Sequence, residues 1–335
     1  MRFHDAYLEL SAPTHRKFGE LLGRRLAAGA QQDWAALKTA PDYKKRLALA
    51  QEYLPASRRA VPHLVEELEG YATGAELPFT DAWLLSLEDE LDEGDHCTTA
   101  VTNGGRLIAH NEDWDSPGAV NRLYVLRRKV GPAESLELYY RNTAGGNAIA
   151  VNRHGLLQAV NSLHASDGRV GLPHNLLARH AADADSAKEA AERVAFAERG
   201  SGYAHILVDR DVTCVEASAT RVAVWHPPLP FFHANTMLDA SMQALQQIGS
   251  YHGSAGRLRS AKFHVTDPMD AAELAAAFDD RTQGPEESLH NEDTIGRAVV
   301  DLDRRVFAVW LKREAQAGWI AYPLKKKKKP PRRPV

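Results

Sequence analysis

The stretch from Asp95 to Asp115 constrains this chain more than any other. Helical periodicity ends there, a strand pattern begins, and Cys97, one of only two cysteines, stands at the junction. Thr98, Ala100 and Thr102 alternate with Thr99 and Val101, small or β-branched residues that suit a pleated strand. Asn103-Gly104 follows, a strong hairpin signal, because a type I′ turn needs φ > 0 at both central residues. The return strand, Arg106 to Asn111, runs into His110-Asn111-Glu112-Asp113. Pairing the arms is expected to bring His110, Asn111 and Asp113 back toward Cys97. A thiol, an imidazole, an amide and a carboxylate would then share one end of a hairpin.

A thiol at the start of a strand suggests a specific chemistry. Were the His96–Cys97 bond cut, Cys97 would carry a free α-amine, with a reference pKa near ~7.7–8.0. Such an amine can serve as general base for the side chain of its own residue. Asp113 would orient it.

Before this stretch the spacing predicts helices from about 14 to 90. Phe18, Leu21, Leu22 and Leu26 form one apolar stripe, and Val61, Leu64, Val65 and Leu68 another. Asp92-Glu93-Gly94-Asp95 reads as an acidic, exposed link suited to a cut. After the hairpin, alternation predicts strands over 122–130, 135–141, 147–152 and 156–162, a meander. Pro173 and Ser186 introduce helices over 176–182 and 186–196. Strands follow at 203–208, 212–217, 222–225 and 231–235, then helices at 238–248, 255–263 and 271–278. A last hairpin pairs 295–302 with 306–311. Cys214, on one of these strands, reads as an inert core thiol. The pattern is α+β, two layers of sheet covered by helices.

Composition narrows the partners. A formal net charge of −3 gives the whole chain no footprint for nucleic acid. No apolar run reaches transmembrane length, and the N-terminus lacks the apolar core of a signal peptide. Two cysteines do not build a disulfide scaffold. The expected setting is therefore cytoplasmic, away from membranes. The tail from Lys325 to Val335, all basic residues and proline up to its last residue, is expected to be disordered.

Cys97-Thr98-Thr99, Asn103-Gly104 and His110-Asn111-Glu112-Asp113-Trp114 resemble the core signature of the isopenicillin N acyltransferase-like (acyl-CoA:6-aminopenicillanic acid acyltransferase) family. That family belongs to the N-terminal nucleophile (Ntn) hydrolases, and is more distantly similar to the bile salt and penicillin V hydrolases. Gly19-Glu20-Leu21-Leu22-Gly23 and the stretch from Leu64 to Ala75 resemble the family's region before the nucleophile. The resemblance implies an αββα four-layer sandwich with an N-terminal helical pro-segment. The divisions are then a pro-segment over 1–96, a catalytic chain over 97–323 and a basic tail over 324–335. It implies that Cys97 is the nucleophile, released by a cut between His96 and Cys97, and that Asp113 is its carboxylate partner. Asn235, in His233-Ala234-Asn235-Thr236, would bind the oxyanion, and Arg257 would organise Asp113 and the nucleophile electrostatically. Thr99, His110, Asn111 and Asn161 are further candidates for substrate or oxyanion contact. His110 departs from the Arg of the bile salt hydrolases, and His96 from the Gly that many relatives carry before the nucleophile.

The implied activity is cleavage or transfer of a linear amide acyl group through a Cys97 thioester, without a cofactor. The substrate would be a small amide or acyl compound. An amine or acyl-CoA co-substrate, and a homo-oligomer, stay open. Two rival readings use the same residues. One is an inactive Ntn-fold binding protein. The other is a zinc site of His96, Cys97, His110 and Asp113, which no Cys-x-x-Cys or His-Glu-x-x-His spacing supports.

Overall fold

The computed structural model describes residues 2–91, 95–116, 118–247 and 253–325. The chain opens with strand β1 (Tyr7–Ala12) and five helices: α1 (His15–Lys38), α2 (Tyr43–Ala60), α3 (Pro62–Ala75), α4 (Phe79–Ser86) and the short α5 (Glu88–Leu91). Thr14 caps α1 by accepting from the Lys17 amide, and Pro62 occupies the first turn of α3, where its missing N–H costs nothing. Helices α1 and α3 touch backbone to backbone through paired glycines. A Cβ on Gly19 or Gly23 would meet the Glu67 or Tyr71 carbonyl oxygen, and one on Gly70 or Gly74 the Arg16 or Glu20 oxygen.

The expected hairpin follows as β2 (Asp95–Thr102) and β3 (Leu107–Trp114). Asn103, Gly104 and Gly105 all take positive φ, 54°, 62° and 82°, at the turn. The meander is β4 (Leu123–Val130), β5 (Ala133–Tyr140), β6 (Ile149–Asn152) and β7 (Leu157–Ser162). After α6 (His174–Ala182) and α7 (Ala187–Val194) come β8 (Tyr203–Val208), β9 (Val212–Ala217), β10 (Val222–Trp225) and β11 (Phe231–His233). Helices α8 (Ala240–Gln243), α9 (Ser254–His264) and α10 (Ala271–Ala277) lead to β12 (Thr294–Asp301), β13 (Val306–Leu311) and β14 (Ile320–Pro323).

Two sheets result. One has eight strands in the order β1-β4-β5-β6-β7-β8-β9-β10, the other six in the order β11-β2-β3-β12-β13-β14. Among the described strands, β1 pairs with β4 in parallel and the other strand pairings are antiparallel. Between the sheets lies an apolar layer that includes Val101, Ile108, Val125, Leu138, Ile206, Val300 and Phe307. The outer face of the eight-stranded sheet is covered by α1–α4, α6 and α7, with Phe18, Leu64, Trp83 and Leu177 against Tyr139 and Leu207. The outer face of the six-stranded sheet is covered by α9 and α10, with Ala261, Leu274 and Phe278 near Ala100, Ala109 and Val299. These are the four layers of an αββα sandwich.

The N-terminal segment is not wholly helical: β1 extends the eight-stranded sheet, and its six residues are too short a run to outweigh the helical stripe after it. The helix expected over 238–248 is confined to Ala240–Gln243, and Ile248 lies outside the described residues. Phe79–Leu91 is broken at Leu87 into α4 and α5. Residues 92–94 of the expected cut loop and residues 326–335 of the tail also lie outside the described residues.

Candidate active site

Strand alternation decides what Cys97 can touch. Val101 and Ile108 face the gap between the sheets, while Ala100 and Ala109 face α9 and α10. Stepping back along the hairpin by twos, the register Thr99↔His110 and Cys97↔Glu112 belongs to the inter-sheet face. Thr98↔Asn111 and His96↔Asp113 belong to the helical face. The polar group expected to converge on Cys97 is thus divided, and the carboxylate beside the thiol is Glu112.

On the inter-sheet face, Cys97 Sγ donates to Glu112 Oε2 at 3.6 Å. The Tyr140 hydroxyl donates to the same oxygen at 2.6 Å, and His110 Nε2 shares a proton with Glu112 Oε1 at 2.5 Å. Thr99 Oγ1 lies 2.8 Å from His110 Nδ1 and donates to Asn161 Oδ1 at 2.8 Å. Asn161 reaches this group from β7 in the opposite sheet. Its Nδ2, buried, has no hydrogen-bond partner among the described residues. Cys97, Thr99, His110, Glu112 and Asn161 are all buried.

The backbone nitrogen of Cys97 is held separately. It donates to Asn235 Oδ1 at 3.2 Å, just beyond the end of β11. Asn235 is fixed at every polar atom of its side chain: Nδ2 donates to the Ser162 carbonyl at 3.2 Å, and Arg257 Nη2 donates to Oδ1 at 2.5 Å. Arg257, from α9, also donates from Nε to Thr98 Oγ1 at 2.9 Å and lies 3.7 Å from Asp113 Oδ2. Asp113 accepts from Thr294 Oγ1 at 2.6 Å and from Asn291 Nδ2 at 3.1 Å. Burial pushes the Asp113 carboxyl above its ordinary pKa, against the opposing pull of Arg257 and the two donors. Asp113 is thus linked to the Cys97 nitrogen only through Arg257 and Asn235, from the far side of the strand.

Asn111 faces away from the thiol and donates to the Phe278 and Leu289 carbonyls at 3.1 and 2.7 Å, tying β3 to the chain after α10. Asp115 is exposed, as a turn carboxylate would be. Cys214 is buried in the apolar layer, and burial pushes its thiol pKa well above the usual range. Sequence reading passed over Glu112 and Tyr140. The two-residue period of β3, counted from the Cys97 pairing, carries the signal for Glu112; Tyr140 comes from a strand of the other sheet and leaves no local signal.

Beyond Ser162 the chain enters the wall of an open cleft of about 440 Å³, lined by Tyr53, Glu90, Leu163, His164, His174 and Ser201 among others. No described helix is long and apolar enough to cross a membrane.

Two facing sheets between helical layers give the αββα architecture of the Ntn-hydrolase fold. The family model for acyl-coenzyme A:6-aminopenicillanic acid acyl-transferase matches residues 101–316, and the chain belongs to that family. The match begins four residues after Cys97. Over 152 residues the chain is 26% identical to the β-alanyl-dopamine/carcinine hydrolase of Drosophila melanogaster, covering 38% of this chain and 39% of that protein. The matched region thus spans about two-fifths of that relative. Among solved structures it is similar to the conjugated bile acid hydrolase of Clostridium perfringens, with a TM-score of 0.45 at 12% identity over 68% of this chain and 92% of that one. It is also similar to the penicillin V acylase of Agrobacterium tumefaciens, with a TM-score of 0.43 at 16% identity over 64% and 83%.

Proposed function

We propose that this chain is an autoprocessing cysteine Ntn hydrolase or acyltransferase that cleaves or transfers a linear amide acyl group through a Cys97 thioester. The observation that carries the reading is the double hold on Cys97: its thiol on Glu112 and its backbone nitrogen on Asn235. The atom that becomes the α-amine already has a positioned acceptor.

In the uncut chain the Cys97 nitrogen is an amide and cannot act as a base. Glu112 therefore takes the thiol proton as Sγ attacks the His96 carbonyl carbon. The His96–Cys97 C–N bond then breaks, the nitrogen gains a proton, and His96 is left as a thioester on Sγ. Water hydrolyses that ester, giving a carboxylate at His96 and a free amine and thiol at Cys97. This divides the chain into a segment over 1–96 and a catalytic chain from 97, with the basic tail beyond 323.

In turnover the α-amine takes the thiol proton as Sγ attacks the substrate carbonyl. Asn161 Nδ2, buried and with its hydrogens uncommitted, supplies the oxyanion donor. Asn235, with Arg257 and Asp113 behind it, holds the amine. The leaving amine takes up the proton, and the acyl group passes from sulfur to water or to an acceptor amine. The cleft beyond Ser162 offers room for the substrate. The Drosophila relative's name places an amide among that protein's substrates, and the family's name makes acyl-CoA a candidate acyl source here.

The reading is tested by presenting purified protein with a panel of small amides and thioesters and trapping the acyl group by mass spectrometry. Acyl adducts confined to the peptide that begins at Cys97, and absent from Cys97→Ala, are expected. A Cys97→Ala protein that still hydrolysed substrate at the wild-type rate would sink the reading.

A further inference from the structure

Cys97, His110 and Glu112 together offer more than a nucleophile needs. We infer that these three side chains form a zinc site, that the α-amine of Cys97 adds a fourth donor once the chain is cut, and that the bound ion keeps the enzyme inactive. The fourth donor, and only that part, rests on the proposed self-cleavage.

One ligand atom from each residue, Sγ, a His110 ring nitrogen and a Glu112 carboxylate oxygen, lies within 4.8 Å of the other two. Thiolate, imidazole and carboxylate are the donors that zinc takes, in a tetrahedral arrangement. All three are joined by two shared protons: Sγ–H on Glu112 Oε2 at 3.6 Å, and the proton between His110 Nε2 and Glu112 Oε1 at 2.5 Å. A divalent ion held by these three residues would displace those protons. Both donors on β3 also have outer partners. Thr99 engages Nδ1 of His110, which directs Nε2 to the site, and Tyr140 anchors Glu112 Oε2.

Charge favours occupancy. All three residues are buried, and deprotonation of the thiol would set a thiolate beside a carboxylate in the gap between the sheets. A dication cancels both charges and makes the site neutral. Binding exchanges Zn²⁺ for two protons, that of the thiol and that between His110 and Glu112, with no change of oxidation state. In the uncut chain the Cys97 nitrogen is an amide and contributes nothing. As a free amine it would close a five-membered chelate with its own thiolate. With sulfur on zinc, the lone pair that attacks the substrate is engaged, so occupancy and turnover exclude each other.

The sequence offers Cys97 and His110 as zinc ligands but not Glu112, which only the cross-strand register sets beside the thiol. The ligand set also differs from the one the sequence suggests: His96 and Asp113 lie on the opposite face of the hairpin, and Glu112 replaces them.

The test is a Co²⁺ titration of the metal-stripped full chain, followed by thiolate-to-cobalt charge-transfer absorption. The expected result is a saturable band at one equivalent that Zn²⁺ displaces. It should be absent in Cys97→Ala, retained in Cys214→Ser, and shifted to about tenfold or weaker affinity in His110→Gln and Glu112→Gln. Zn²⁺ should also raise the wild-type Tm, and a chelator should reverse the rise. No band, a band that survives Cys97→Ala, or unchanged affinity in both β3 variants would overturn the site. The band needs no turnover. A cut, active enzyme without it contradicts the zinc site alone, while an uncut, inactive chain that shows it contradicts the proposed reaction alone.

Discussion

At the scale of single residues, the site divides its work between the two faces of one hairpin. The inter-sheet face carries the thiol, Glu112, His110 and Thr99; the helical face carries Asp113 and Thr98, bridged by Arg257 to Asn235. Cys97 and Asp113 were legible as chemistry-bearing residues, but their placement on opposite faces follows only from pairing, because a side-chain period of two reverses with each step. Asn161 gives the sharpest residue-scale expectation. If its orphaned Nδ2 meets the oxyanion, Asn161→Ala should lower kcat by roughly 10²–10³-fold. Self-cleavage kinetics and steady-state turnover, measured on the same preparation, check this. A KM change at constant kcat would instead make Asn161 a substrate contact.

At the scale of elements, the helical layer before Cys97 is fixed by backbone contact as much as by apolar stripes. Gly19 and Gly23 on α1 face Gly70 and Gly74 on α3, and a Cβ at Gly74 would stand 2.2 Å from the Glu20 carbonyl oxygen. The four-residue glycine spacing on both helices was visible in the sequence; that the two runs pack against each other was not, since the contact joins segments about fifty residues apart. Gly74→Val must push the helices apart, and is expected to destabilise the protein by about 3 kcal/mol or more. A denaturant midpoint close to wild type would contradict this. The hairpin and the meander were legible because each is local. Strands β1 and β14 were not, because each is a short run whose pairing partner is distant in the chain or supplied only by an element already paired.

At the scale of the whole molecule, the buried polar groups make stability depend on pH. His205 is buried on β8, and neither ring nitrogen has a hydrogen-bond partner among the described residues. Burial, reinforced by His174, lowers its pKa to about 3. The unfolded chain, with an ordinary histidine near ~6.5, then binds the proton more readily between those two values. Its contribution is therefore complete above the unfolded pKa and is lost as pH falls through the window, by up to about 1.4 kcal/mol per pH unit. His205→Phe should flatten urea midpoints measured from pH 4 to 7; a slope equal to wild type would assign the acid sensitivity elsewhere.

The central claim concerns one bond, and the most direct measurement is the intact mass of freshly purified wild-type protein beside Cys97→Ala. The account predicts two fragments that divide between His96 and Cys97 in the wild type, and one undivided chain in the variant. A single undivided chain in both, persisting through prolonged incubation at neutral pH, would contradict it.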